Sequence, residues 1–201
     1  MPKRSTTFYA ILAMTILVTG MTGWTAAQAQ EDKYAGIRER LDDCSVCHGE
    51  DNEASGDPEV PVLAGQEMYY LYVQLKDFKA GRRANAIMSV IANTMEKAEM
   101  KLVATYFSEQ EWPNIHFKGD PAKVAAGETA ANSGQCVACH LGSYTGASRI
   151  PRLAGQHPEY LLKTMLDFKH QVRKNSPAIA TLLASFSDDE LANMAEFMGD
   201  M

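Results

Sequence analysis

Two cysteine pairs, each followed at once by a histidine, are the most reactive local pattern in this sequence. Both follow the pattern Cys-x-x-Cys-His: Cys44, Cys47 and His48, then Cys136, Cys139 and His140. Two thiols at this spacing on a helix can form thioethers with the two vinyl groups on one edge of a porphyrin, and the adjacent imidazole can bind the iron. The pattern therefore indicates two covalently attached haem c groups, with His48 and His140 as proximal iron ligands.

Other uses of cysteine pairs fit this sequence less well. A thioredoxin-like redox pair belongs to a strand–helix–strand setting, and the sequence shows no convincing strand alternation. A zinc site needs ligand pairs that converge on one metal, usually close in sequence, whereas these pairs lie in different halves of the chain. Two disulfides would suit an exported protein, but the histidine after each pair favours haem.

The chain repeats itself, with the matching segments in the same order in both copies. Residues 61–66 (PVLAGQ) match residues 151–156 (PRLAGQ), and the Asp-Phe-Lys segment at 77–79 matches the one at 167–169. Because the cysteine motifs keep the same order relative to these segments, the sequence indicates a duplicated domain.

The pattern of apolar residues predicts an all-α protein. Helical spacing and capping signals predict helices in both copies: 34–41, 66–78 and 96–107 in the first copy, then 121–132, 156–168 and a last helix from the Ser187–Glu190 capping box to about Met198. We expect a first domain over 30–108, a linker over 109–120 and a second domain over 121–201.

The first 29 residues have the features of a signal peptide. Lys3 and Arg4 precede an apolar run over residues 8–18, and Ala27-Gln28-Ala29 offers small residues at the spacing that signal peptidase recognises. We therefore expect cleavage after Ala29 and a periplasmic location. The alternative is an uncleaved anchor, which the apolar run disfavours because a spanning helix needs ~20 residues.

The far side of the first haem has a candidate ligand in Met88. This residue lies in a stretch that resembles a loop between two helices, where the chain can fold over the haem. Methionine is a common sixth ligand in electron-transfer cytochromes. Met95 and Met100 are rivals, but they lie at or within the next helix, where packing is the expected role. Core packing is also the ordinary alternative for Met88 itself.

The second copy departs from this pattern. Ala178 or Ile179 stands opposite Met88, depending on the alignment, and neither side chain can bind iron. The second haem is therefore expected to be five-coordinate, or to take water or another side chain. His170 is the best protein candidate and His157 a weaker one, with a solvated surface histidine as the ordinary alternative for both.

At these residues the chain resembles the cytochrome c4 family, dihaem proteins built from two class I cytochrome c domains. The resemblance implies two tandem cytochrome c-like helical domains, each wrapped around a covalently attached haem. It implies that carbonyls of Pro61 and Pro151 hold the proximal histidines, that Met88 is an axial ligand, and that haem propionates meet near the domain interface. The absence of a methionine at Ala178 or Ile179 departs from the family pattern.

The combined features indicate an electron carrier and not an enzyme. Each iron would cycle between ferrous and ferric, with redox proteins as donor and acceptor, among them a terminal oxidase or a periplasmic dehydrogenase. Net charge −6 without clustered Lys and Arg argues against nucleic-acid binding. Two alternatives stay open: a catalytic or small-ligand site at the second haem, and a cytochrome subunit of a larger oxidoreductase. Loose association with a membrane is also left open.

Overall fold

A computed structural model describes residues 32–201 of the chain. The predicted signal peptide, residues 1–29, lies outside the described residues. Within residues 32–201 the regular structure is helical apart from a single bridge between Ala147 and Ile150. None of the helices in this part is both long and apolar enough to span a membrane.

Nine α-helices follow one another in the described part of the chain. They are α1 (Arg38–His48), α2 (Met68–Lys79), α3 (Met88–Thr94), α4 (Lys97–Ser108), α5 (Pro121–Ser133), α6 (Val137–His140), α7 (Pro158–Lys169), α8 (Pro177–Leu183) and α9 (Asp188–Gly199). Helices α2 to α4 in the first repeat correspond to α7 to α9 in the second. This order confirms the all-α prediction and the duplication.

Local sequence explains where the longer helices begin. Helix α9 starts with the predicted capping box, in which the side chains of Ser187 and Glu190 each accept from the backbone of the other. Glu96 and Glu99 form the equivalent box at α4. At α5, Asp120 accepts from two backbone amides and Pro121 takes the first helical position, where its missing N–H costs nothing.

Each repeat has its own small hydrophobic core. In the first repeat, α2 and α4 bury Leu71, Met100 and Phe107 against Leu41 of α1. In the second repeat, α7 and α9 bury a corresponding set that is centred on Leu191. Cores of this size stabilise a helical unit only weakly, because a small domain keeps much of its surface exposed.

The structure departs from the sequence prediction around the two distal segments. The sequence predicts a loop at Met88, but this residue is the first of α3. Asn85 starts the helix by accepting from the amides of Ile87 and Met88. Helix α8 was not predicted either. Both helices have seven residues, which is too short for the apolar periodicity to show.

Helices α5 and α9 pack closely because Gly127 has no side chain. A Cβ atom at this position would lie 2.0 Å from the backbone oxygen of Asn193. The two backbones therefore approach each other at a distance that only glycine permits.

We predict that Gly127→Ala destabilises the protein, because α5 and α9 must move apart to admit the methyl group. The expected loss is about 1–3 kcal/mol in the free energy of unfolding, measured by chemical denaturation. Gly36→Ala is the matched control, since nothing lies within 4 Å of a Cβ there. Equal unfolding midpoints for the two variants would contradict this account.

Candidate haem-binding sites

The first cysteine motif lies in the last turns of α1. Cys44 is half-buried against the first core, Cys47 is exposed, and His48 ends the helix. Burial raises the pKa of Cys44 to about 11, although the charge of Arg40 opposes the shift. Before a haem is attached, the residue is therefore a protonated thiol at neutral pH.

The second motif repeats this arrangement on a separate short helix. Gln135 has a φ of 53°, which is not helical, and therefore separates α5 from α6. Cys136 is half-buried against the second core, Cys139 is exposed, and His140 ends α6. In both motifs, then, the first cysteine faces the core and the second faces outward.

A proline carbonyl orients each motif histidine. The Nδ1 atom of His48 lies 2.9 Å from the carbonyl oxygen of Pro61, and the Nδ1 atom of His140 lies 2.9 Å from that of Pro151. A carbonyl can only accept, so Nδ1 carries the proton and Nε2 is left to bind a metal. These contacts confirm the positions that the family resemblance implied for the two prolines.

The surroundings favour the neutral form of both imidazoles. Burial lowers the pKa of His48, and the positive charge of Arg83 acts in the same direction against the hydrogen bond to Pro61. Burial also lowers the pKa of His140. Neutral imidazole is the form that binds iron.

The methionines of the first repeat differ in what they contact. Met95 and Met100 are 0% and 1% exposed. Both pack within the first core, so neither side chain is free to serve as the iron ligand in place of Met88. Met88 lies outside the buried core, half-buried at the start of α3. Among the three, Met88 is therefore the side chain left available as a ligand.

No sulfur stands at the corresponding place in the second repeat. Helix α8 begins with Pro177, Ala178 and Ile179. Met165 and Met194 are buried in the second core, as their positions within helices predicted.

The two histidine candidates of the second repeat have different surroundings. His170 lies just after α7 and is exposed, which agrees with the alternative of a solvated surface histidine. His157 is buried just before α7, and its Nε2 atom has no hydrogen-bond partner within residues 32–201. Burial lowers the pKa of His157, with nearby Glu159 opposing the shift.

A cluster of cationic and polar side chains joins the two repeats, and the sequence analysis missed it. Arg83 donates to the hydroxyl of Tyr160 at 2.9 Å and to Gln74 at 3.0 Å. Arg173 donates to the same oxygen of Gln74 at 2.8 Å and to Tyr70 at 3.3 Å. The two arginines stand two residues before Asn85 and Asn175, so the repeat alignment could have identified them as an equivalent pair.

This cluster carries unneutralised positive charge. Within the described residues neither Arg83 nor Arg173 forms an ion pair with a carboxylate, and Arg173 is only 6% exposed. Burial alone would raise the pKa of Tyr160, but the two arginine charges lower it. Burying a cation without a counter-ion costs free energy, so a bound anion would stabilise this cluster.

The side chains around each cysteine motif fit a haem. Each repeat offers two reduced thiols, a neutral imidazole with a free Nε2, and access to buried guanidinium groups that suit the carboxylates of the porphyrin. These thiols, imidazoles and guanidinium groups are the donors that a haem in each repeat would need. Within residues 32–201, no group of three or more His, Cys, Asp or Glu side chains lies close enough together to hold a metal ion.

The chain is similar over most of its length to known c-type cytochromes and their relatives. Cytochrome c4 of Azotobacter vinelandii is 30% identical over 93% of this chain and 96% of its own. The thiosulfate dehydrogenase electron acceptor of Stutzerimonas stutzeri is 34% identical over 79% of this chain and 78% of its own. The crystal structure of reduced cytochrome c4 from Pseudomonas stutzeri superimposes with a TM-score of 0.76 at 28% identity, covering 85% of this chain and 98% of that one.

No protein-family model matches the chain. The identity to cytochrome c4 nevertheless extends over nearly the whole length of both proteins, and the structural likeness spans both repeats. The chain therefore belongs to the cytochrome c4 family, whose members carry two covalently bound haem c groups and transfer electrons.

Proposed function

We propose that this chain is an exported single-electron shuttle whose two haems are held by the two cysteine motifs. Cys44 and Cys47 would form the thioethers of the first haem and His48 its proximal bond. Cys136, Cys139 and His140 would do the same for the second. The observation that supports this assignment is the matched contact of Nδ1 with a proline carbonyl in both repeats.

The haems supply reversible one-electron chemistry at iron, and the chain determines how readily it occurs. Pro61 and Pro151 keep Nε2 of each histidine aimed away from the protein carbonyls. Arg83 and Arg173 would hold the carboxylates of the porphyrins. Their positive charge favours the ferrous state, because reduction removes one positive charge from the iron.

We propose the domain limits 30–108 and 121–201, with residues 109–120 as the linker. Residues 110–120 are not helical, and each of the two cores lies on one side of them. Export through cleavage after Ala29 would bring the protein to an oxidising compartment. Thioether bonds to haem would occupy all four cysteines there and leave none for a disulfide.

We further propose a dehydrogenase as electron donor. The relative from Stutzerimonas stutzeri is itself an electron acceptor of thiosulfate dehydrogenase. The net charge is −6 for the full chain and −8 once Lys3 and Arg4 leave with the signal peptide. This negative charge would favour docking to a basic surface, with an encounter rate that falls as salt is added.

The proposal is tested by intact-mass measurement of protein purified from its native compartment. We expect a chain that begins after Ala29 and carries the added mass of two haems. A chain without added haem would overturn the proposal, and a mass increase of one haem would overturn it for one repeat.

We predict that Met88→Leu lowers the reduction potential of the first haem and converts it to a high-spin form, because the sulfur ligand is lost. Optical and electron paramagnetic resonance spectra taken during a redox titration measure both effects. Met95→Leu is the matched control, since it makes the same replacement at a fully buried core position. If both variants keep the native spectrum, Met88 is not a ligand.

A second function, binding of a small ligand at the second haem, is favoured by the start of α8. The side chains of Pro177, Ala178 and Ile179 cannot bind iron. Met165 and Met194 are packed in the second core. An iron with an open sixth position binds diatomic molecules such as carbon monoxide.

We predict that the reduced protein binds one carbon monoxide for every two haems, as measured by optical titration. His170→Ala should leave this stoichiometry unchanged, because the side chain is exposed. A reduced protein with two low-spin haems that ignores carbon monoxide would rule out this second function.

A further inference from the structure

Two buried glutamines each bind the backbone of the opposite repeat. Gln156 accepts from the amide of Val62 at 2.9 Å and donates to the carbonyl of Val62 at 3.1 Å. Gln66 accepts from the amide of Arg152 at 2.8 Å and donates to the carbonyl of Arg152 at 3.0 Å. Their exposed fractions are 3% for Gln66 and 2% for Gln156, so water does not compete for these bonds.

The peptide groups that they bind are the ones that hold the motif histidines. The carbonyl of Pro61 and the amide of Val62 are the two ends of one peptide group. Its oxygen accepts from His48, and its N–H donates to Gln156. In the second repeat, the oxygen of Pro151 accepts from His140, and the N–H of Arg152 donates to Gln66.

The glutamine side chains are fixed in this orientation. The same oxygen of Gln66 also accepts from the amide of Glu67 at 3.0 Å, and that of Gln156 accepts from the amide of His157 at 3.0 Å. Backbone N–H groups face the oxygen and a carbonyl faces the nitrogen, so the amide cannot be reversed without losing every bond.

A peptide group that donates at one end becomes a stronger acceptor at the other. Its N–H and C=O are conjugated, and hydrogen bonds in such a chain polarise one another, by roughly 10–30% per bond. A stronger acceptor draws the Nδ1 proton of the histidine and makes the imidazole a stronger donor to iron. A more electron-rich imidazole stabilises ferric over ferrous iron and so lowers the potential.

We propose that Gln66 and Gln156 are positioning residues that tune, across the boundary between the repeats, the haem of the opposite repeat. Gln156 acts through Pro61 on His48, and Gln66 acts through Pro151 on His140. The potential of each haem then depends on the folding and docking of the other half of the chain. This inference rests on the proposed function, in which His48 and His140 are the iron ligands.

The test measures both haem potentials in Gln156→Leu and Gln66→Leu proteins. Spectroelectrochemical titration gives the potentials, and the ferric haem methyl signals in proton nuclear magnetic resonance assign each potential to a haem. We expect Gln156→Leu to raise mainly the potential of the first haem and Gln66→Leu mainly that of the second. A merely structural role would instead disturb the haem of the mutated repeat, or both haems alike.

Gln110→Leu is the matched control, because Gln110 accepts from the amide of Asn52 and touches neither proline peptide. It should shift neither potential in the crossed manner. If a leucine variant does not accumulate, Gln→Asn at the same position keeps the amide but shortens its reach, and should give the same crossed shift.

The outcomes separate this inference from the function on which it rests. Glutamine variants that carry two haems with native ligation, yet show no crossed shift, overturn the inference and leave the proposed function intact. A wild-type protein without two covalent haems overturns the proposed function itself. A shift confined to the haem of the mutated repeat also overturns the inference.

Discussion

The hydrogen bond between each motif histidine and a proline carbonyl is the contact on which the site depends. A histidine next to two tethered cysteines has little freedom along the chain, but its ring can still rotate. The contacts of His48 with Pro61 and of His140 with Pro151 remove that rotation. They also select the tautomer, because only a protonated Nδ1 can donate to a carbonyl. One contact thus determines both the direction and the electron-donating strength of the ring.

A glutamine from the opposite repeat binds the N–H of each peptide group whose carbonyl accepts from a motif histidine. The glutamine at the end of each PxLAGQ segment, Gln66 or Gln156, reaches across to the peptide that follows the proline of the other repeat. Nearby, Arg83 and Arg173 meet around Gln74 with no carboxylate partner in the described part of the chain. The interface therefore combines neutral amide pairing with positive charge, and the carboxylates of two porphyrins would complete its electrostatic balance.

Duplication preserved the fold and changed one turn. In the first repeat, Asn85 accepts from the amides that open α3, at the head of which stands Met88. In the second repeat, α8 opens with Pro177, which has no N–H to donate. The side chain of Asn175 donates instead to Gln74 and Asp77 of the first repeat. The change that removes the methionine thus coincides with a new contact between the repeats.

The helical class, the duplication and both Cys-x-x-Cys-His motifs could be predicted from the sequence, because these features depend on local spacing and capping. The sequence also placed Met95 and Met100 in the core. It missed α3 and α8, since helices of seven residues are held by neighbouring segments and not by their own periodicity. The backbone groups that Gln66 and Gln156 bind, and the meeting of Arg83 with Arg173, could be seen only in the folded chain. Such contacts join residues far apart in sequence, and no local pattern records which distant backbone group a buried side chain will satisfy.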